Sequence, residues 1–253
     1  AYTAQGRDVR MSPERIEGYK FFVNKIWNAA KLTLGNLADY DESAHVDAPD
    51  SLPEKWIRTK LNETVAAVTR SLDEYRFNDA AAAIYNFIWH EYCDWYLEIS
   101  KPALYGKISA GQKHVTQRTM KEVFAIMLQL LHPFMPFVTE ELWQALHNSD
   151  EHSIMISRFP ETSDVQEDGA ARQEMEMLME IITSIRNIRG EMRIPPSLKL
   201  KVFISAPDEQ TKKSIEDGGG YILNLSNLES LSVEVNLVEP RGVATGVVGS
   251  IKI

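Results

Sequence analysis

The chain has 253 residues, enough for one large domain or two ordinary ones. Its 44% hydrophobic and 25% charged residues are the composition of a folded globular protein, and no run approaches the roughly 18 apolar residues of a membrane-spanning helix. A net charge of -9 argues against a general-purpose nucleic-acid binder, because phosphate contacts need Lys and Arg, and the single cysteine, Cys93, leaves no internal disulfide and no second thiol at zinc-ligand spacing.

In chain order, the first part reads as long helices. Ser12-Pro13-Glu14 is a start signal, with Ser as N-cap, Pro in the first turn and a carboxylate behind it, for a helix running to about Leu37. A second helix is predicted from Ser51-Leu52-Pro53-Glu54 to about Tyr75. A third is predicted from Asp79 to Ile99, capped by Asn78 and closed by Lys101-Pro102. A fourth runs from about Gly111 to Leu131, where His132-Pro133 breaks it, and Pro136 opens a fifth over Phe137 to Leu146. The fold class is mainly α: a helical bundle over residues 1–150, then a small α/β domain over 151–253.

The second part is more varied. Ile154-Met155-Ile156 is a strand candidate and Ser163 to Gly169 reads as a linker. A helix follows from about Ala170 to Glu191, ended by Pro195-Pro196. Leu198 to Ile204 alternates like a strand, Asp208 to Asp217 reads as a short helix, and Gly218-Gly219-Gly220 as a loop without P-loop or dinucleotide-binding spacing. Leu231 to Val235 and Gly246 to Ile253 read as further strands. The N-terminus lacks Met and the C-terminus stops on a strand-like alternation, so both ends read as cuts inside a longer protein. No signal peptide is evident, and the expectation is a cytoplasmic, monomeric protein away from membranes.

Two local surpluses of positive charge stand out. Residues 1–35 hold six basic side chains (Arg7, Arg10, Arg15, Lys20, Lys25, Lys31) against three acidic ones (Asp8, Glu14, Glu17). From Arg186 to Lys201 there are five basic residues (Arg186, Arg189, Arg193, Lys199, Lys201) against Glu191. Solvated helix faces would account for both.

The first helix has two apolar faces. On a 100° wheel Ile16, Tyr19, Val23, Ile26, Trp27, Ala30, Leu34 and Leu37 share the sector expected to face the core. The opposite sector holds Glu14, Gly18, Phe21, Lys25, Asn28 and Leu32. Apolar groups beside a cation and an amide suit an unstacked RNA base; they equally suit another helix packing there. Trp89 to Tyr96 gathers His90, Glu91, Cys93 and Asp94, but without the spacing that aims ligands at one ion, so the aromatics read as core and Cys93 as a small buried hydrophobe. No nucleophile motif or acid–base pair is evident, and no cofactor or metal is expected in this chain.

Four segments together resemble a known family. Asn24-Lys25-Ile26-Trp27-Asn28-Ala29-Ala30-Lys31 resembles the first helix of the anticodon-binding domain of class I aminoacyl-tRNA synthetases of the valyl type. The run from Trp89 to Pro102 resembles its third helix, and Leu131-His132-Pro133-Phe134-Met135-Pro136-Phe137 with Thr139-Glu140-Glu141-Leu142-Trp143 resembles the closing helix pair shared with isoleucyl, leucyl and methionyl enzymes. Arg186-Asn187-Ile188-Arg189-Gly190-Glu191 with Ile194-Pro195-Pro196 resembles the junction that follows the bundle.

The resemblance implies binding of the anticodon stem-loop of tRNA-Val, in a parent that joins valine to its tRNA with ATP and Mg on a catalytic domain this chain lacks. It also implies a coiled-coil arm beyond the chain's end. The family's anticodon contacts fall on Lys25 and Asn28, and its stacking aromatic on Leu32, which is not aromatic; Phe21 on the same face is the substitute. Glu98 matches a position near the anticodon, and Arg186, Arg189 and Arg193 are phosphate candidates. The competing expectations are the same domain of an isoleucyl enzyme and a helical scaffold with no RNA role.

Overall fold

The computed structural model describes residues 13–44, 46–147, 153–162, 167–237 and 242–253. Ser12, and residues 163–166 of the expected linker, lie outside these, as do the side chains of Glu14 and Ile16. The chain forms two compact units, one to Gly169 and one from Ala170 onward.

The first unit is a helical bundle. Helix α1 spans Pro13–Leu37, α2 Leu52–Asp73 and α3 Phe77–Asn86; a π-helical stretch Phe87–Tyr96 continues α3 directly into α4, Leu97–Leu104. Helix α5 spans Ala110–Leu131 and α6 Pro136–His147. The N-caps follow local chemistry: the Ser109 hydroxyl accepts from the Gln112 amide at 3.1 Å, and Ser51 precedes the Leu52-Pro53 start of α2 in an extended conformation. The core is built from Ile26 of α1, Trp56, Ile57, Leu61 and Val65 of α2, and Val123, Phe124, Met127 and Leu128 of α5, all fully buried. Wholly buried Tyr92 ties three elements. Its hydroxyl bonds Thr33 of α1 at 2.8 Å, and its ring stacks on Phe124 of α5 at 6.3 Å.

The long connection between α1 and α2 lies along α5 and is held by charge. Lys113 reaches Asp39 at 2.5 Å, Lys121 reaches Glu42 at 2.6 Å, and Arg118 reaches Asp50 at 2.9 Å. Beneath them Arg58 of α2, almost wholly buried, bonds Asp50 and, at 2.8 and 3.1 Å, Glu122. Buried Glu54 accepts from Thr116 at 2.8 Å, from Gln112 at 3.2 Å and from Ser51. Paired and hydrogen-bonded in this way, the buried charges are tolerable.

The structure corrects several expectations. The core face of α1 runs through Phe22, Ile26, Ala29, Ala30 and Thr33, while Tyr19 (45%) and Trp27 (40%) are exposed. The reason lies on the neighbouring helix: Phe22 enters an aromatic cluster with Tyr85 (4.8 Å) and Trp89 (6.3 Å), which turns the buried sector toward those rings. The third helix starts at Phe77, not behind an Asn78 cap, and it runs past Pro102 to Leu104. Pro102 stands within two residues of the helix end, so few residues follow the break its ring makes in the ladder. Ile154–Ile156 is a single 3-10 turn capped by the Ser153 hydroxyl, which accepts from the Met155 amide at 3.2 Å, not a strand. Only Ile154 of the three is buried, and the turn's neighbour is α6, not a strand edge.

In the second unit, α7 (Gly169–Glu191) buries Met175, Leu178, Ile181, Ile182 and Ile185 along one stripe. Strand β1 (Leu200–Ala206) leads through α8 (Glu209–Asp217) and α9 (Gly219–Leu225) to β2 (Leu228–Val235), which pairs parallel to β1. Gly246 to Ile253 forms a hairpin of two short strands, β3 (Val247–Val248) and β4 (Ile251–Lys252), not one; the sheet order is β2-β1-β4-β3. Gly249, at φ +55°, makes the intervening turn possible.

The three glycines are not a loop. Asp208 caps α8, accepting from the Thr211 amide at 2.7 Å, Gly218 ends that helix, and Gly219 already begins α9. A Cβ on Gly218 would lie 2.3 Å from the Leu178 side chain, so a larger residue there would have to push that buried leucine of α7 aside. Among the described residues, no helix is long and apolar enough to cross a membrane.

Candidate nucleic-acid interface

Of the candidate residues of the first unit, Lys25 reaches across the seam between α1 and the π-helical stretch, and Glu98 lies beyond it in α4. Phe21 (57% exposed) and Asn28 project from α1 into solvent, Leu32 is half-buried, and Lys25 lies between them at the seam. The Lys25 ammonium stands 3.8 Å above the centre of the Trp89 ring, within cation–π range. It also donates to Asp94 at 2.5 Å. Trp89 is stacked in turn on Tyr85 at 5.5 Å, with an interplanar angle of 16°. Glu98 follows Asp94 by four residues and is chelated by Lys101 at 2.6 and 2.7 Å. His90 Nδ1 stands 3.4 Å from the second Asp94 oxygen.

The α1 flank and its seam therefore present an exposed ring, an amide, a cation and the Asp94 carboxylate. Such groups can stack on a base, read its edge and meet its backbone. Trp89 and Asp94 were missed as partners of Lys25. They lie 64 and 69 positions away in sequence, and no local pattern signals so distant a pairing.

Cys93 is half-buried on this seam. Burial pushes its thiol up to about 12, with Lys25 working against the rise and Asp94 adding to it. Since the thiolate is the nucleophile, alkylation of the native chain near pH 8 is expected to run roughly a thousandfold slower than in guanidinium-unfolded chain. Equal rates in the two states would contradict this environment.

The arginines of the second unit have other work. Arg189 is buried, and its guanidinium donates to the carbonyls of Leu198 (2.8 Å), Pro195 (3.0 Å), Pro196 (3.2 Å) and Ser226 (3.4 Å). The expectation of a phosphate contact at Arg189 is corrected: the side chain fastens the unit's own loops. Arg186 remains exposed but lays two donors on the Leu225 carbonyl, at 3.0 and 3.1 Å. Exposed Arg193, at φ +52°, is the left-handed residue that ends α7, with the Ile194 amide closing back on the Arg189 carbonyl at 2.9 Å. An apolar cleft of about 230 Å³ lies in the same unit, lined by Ile188, Ile194, Val202, Phe203 and Val243 among others, and none of the three arginines lines it. Among the described residues, no group of three or more His, Cys, Asp or Glu is placed to hold a metal ion.

A family model described as the anticodon-binding domain of tRNA ligase matches residues 54–204. The chain belongs to this family. The chain is also similar, over almost its whole length, to curated valine–tRNA ligases. It is 43% identical over 257 residues to that of Syntrophotalea carbinolica, covering 100% of this chain and 28% of the relative. It is 40% identical over 247 residues to that of Bacillus cereus, covering 97% and 28%, and 41% identical over 238 residues to that of Thermotoga maritima, covering 94% and 26%. The chain thus spans little more than a quarter of the length of these relatives. Helix α1 precedes the residues that the family model matches, and is covered by the match to the Syntrophotalea carbinolica ligase, which takes in the whole chain.

Proposed function

We propose that this chain is the tRNA-recognising part of a valine–tRNA ligase and that it binds the anticodon stem-loop of tRNA-Val at the seam of α1 and the π-helical stretch. The observation that carries the reading is the likeness along the whole chain to valine–tRNA ligases. Joining valine to tRNA, with ATP and Mg, belongs to the remainder of the longer protein. In this reading Lys25 and Asn28 contact the loop, and Phe21, exposed on the same flank where Leu32 is half-buried, offers the stacking face. Base contacts specify and cation–phosphate contacts position. The acidic net charge confines phosphate attraction to such local surfaces.

Lys25→Ala or Asn28→Ala is expected to weaken binding of a tRNA-Val anticodon hairpin by roughly 1–3 kcal/mol at fixed salt. Titrations against a tRNA-Ile hairpin in parallel test which tRNA is preferred. Unchanged affinity in both variants overturns the assignment of the site, and binding that does not fall with rising salt overturns an RNA interface altogether.

A further inference from the structure

Lys25 is not a free cation waiting for RNA. Its side chain is only 23% exposed, its ammonium lies 2.5 Å from Asp94 Oδ1, and the Trp89 ring closes another side at 3.8 Å. Asp94 is more open, with 44% of its side chain exposed, so a carboxylate stands at the mouth of the surface that an RNA anion approaches. The second Asp94 oxygen faces His90, whose side chain is 58% exposed, and Asp94 is not among the buried polar residues of the bundle's described part.

We propose that Asp94 is a built-in competitor for the Lys25 ammonium, a charge that single-stranded RNA must displace before its own oxygens can take the lysine's hydrogen bonds. This rests on the reading of α1 as the RNA-binding flank. The physical basis is twofold. A lysine ammonium has three donors in a compact head, so an acceptor at 2.5 Å and a ring at 3.8 Å leave it few open directions. A carboxylate beside it also repels each phosphate that approaches, and it does so in a partly exposed setting where the attraction it opposes is itself modest. Trp89 keeps the ammonium in place when the carboxylate is withdrawn, so the released cation stays directed at the seam. Asp94 thereby sets the threshold of the site: only a ligand offering several contacts at once, such as a splayed loop, outbids a partner already in position.

The test uses the full 253-residue chain and an RNA hairpin bearing the tRNA-Val anticodon loop. Asp94→Asn keeps the shape and an acceptor oxygen but removes the charge. It is expected to tighten binding roughly two- to fivefold, the range of a partly exposed ion pair. The slope of log affinity against log salt is expected to steepen by up to about 0.7, the increment for one more cation on a single strand. The double variant Lys25→Ala/Asp94→Asn is expected to lose the gain. Asp94→Ser, which lacks an amide, is expected to act in the same direction, and it decides the matter if the Asn variant melts early. Unchanged or weaker binding in the Asp94 variants, while Lys25→Ala still weakens binding, overturns the competitor role and leaves the RNA site standing. If Lys25→Ala and Asn28→Ala both bind as the unaltered chain does, it is the site itself that falls.

Discussion

Replacing Arg58 by alanine is expected to cost the helical unit about 3–5 kcal/mol, the range for removing one partner of a buried charge pair. The loss comes less from the bonds themselves than from what they leave behind. Asp50 and Glu122 would face each other without the guanidinium that joins them, and neither is fully open to water. Arg118 still reaches Asp50 from the rim, so Glu122 bears most of the change. Thermal unfolding followed by circular dichroism measures the effect. Arg58→Met combined with Glu122→Gln and Asp50→Asn removes all three charges together and is expected to recover a large part of the loss. A single variant as stable as the unaltered chain would mean that water already satisfies both carboxylates.

The second large effect is expected at Arg189. Alanine there takes the guanidinium from the carbonyls of Leu198 and Ser226, and from those of Pro195 and Pro196, which still accept from the Leu198 amide (3.1 Å) and the Asn227 side chain (2.7 Å). Unmet buried acceptors cost about 1–3 kcal/mol each where water cannot replace the donor, and a loss of roughly 2–4 kcal/mol is expected with partial hydration. Lysine keeps the charge but not the planar fork, and is expected to rescue little. Faster hydrogen exchange of the β1 and β2 amides is the readout. Wild-type protection in Arg189→Ala combined with weakened RNA binding would return this residue to the role its sequence context suggests.

Much of the helical architecture was legible because its boundaries are written in local chemistry. Pro13, Ser51-Leu52-Pro53 and Pro136 each mark a start, and the structure begins helices at or beside each of them. The parts that escaped depend on contacts between distant residues. Phe22 is core because Tyr85 and Trp89 are opposite it, which no wheel drawn on α1 alone contains. Gly218 looks like a loop residue until Leu178 is seen against it. The same division runs through the candidate site. Phe21, Lys25 and Asn28 are visible as an odd flank of one helix, whereas Asp94 and Trp89, which govern the lysine, belong to another helix. Arg189 shows the reverse error, since a basic residue near a helix end reads as surface until its carbonyl partners are known.

The π-helical stretch Phe87–Tyr96 carries a further consequence. Each of its hydrogen-bonded rings encloses one residue more than an α-turn does, so side chains fall progressively behind the phase of an ordinary helix. The lag accumulates over ten residues, and α4 inherits it whole. Asp94, Glu98 and Lys101 therefore take the bearings they have because of where the wide coil ends. Shortening the stretch by one residue would leave a helix of nearly the same length, yet it would swing α4 and its charges around the axis, much as a screw cut with a different pitch presents another side at the same depth.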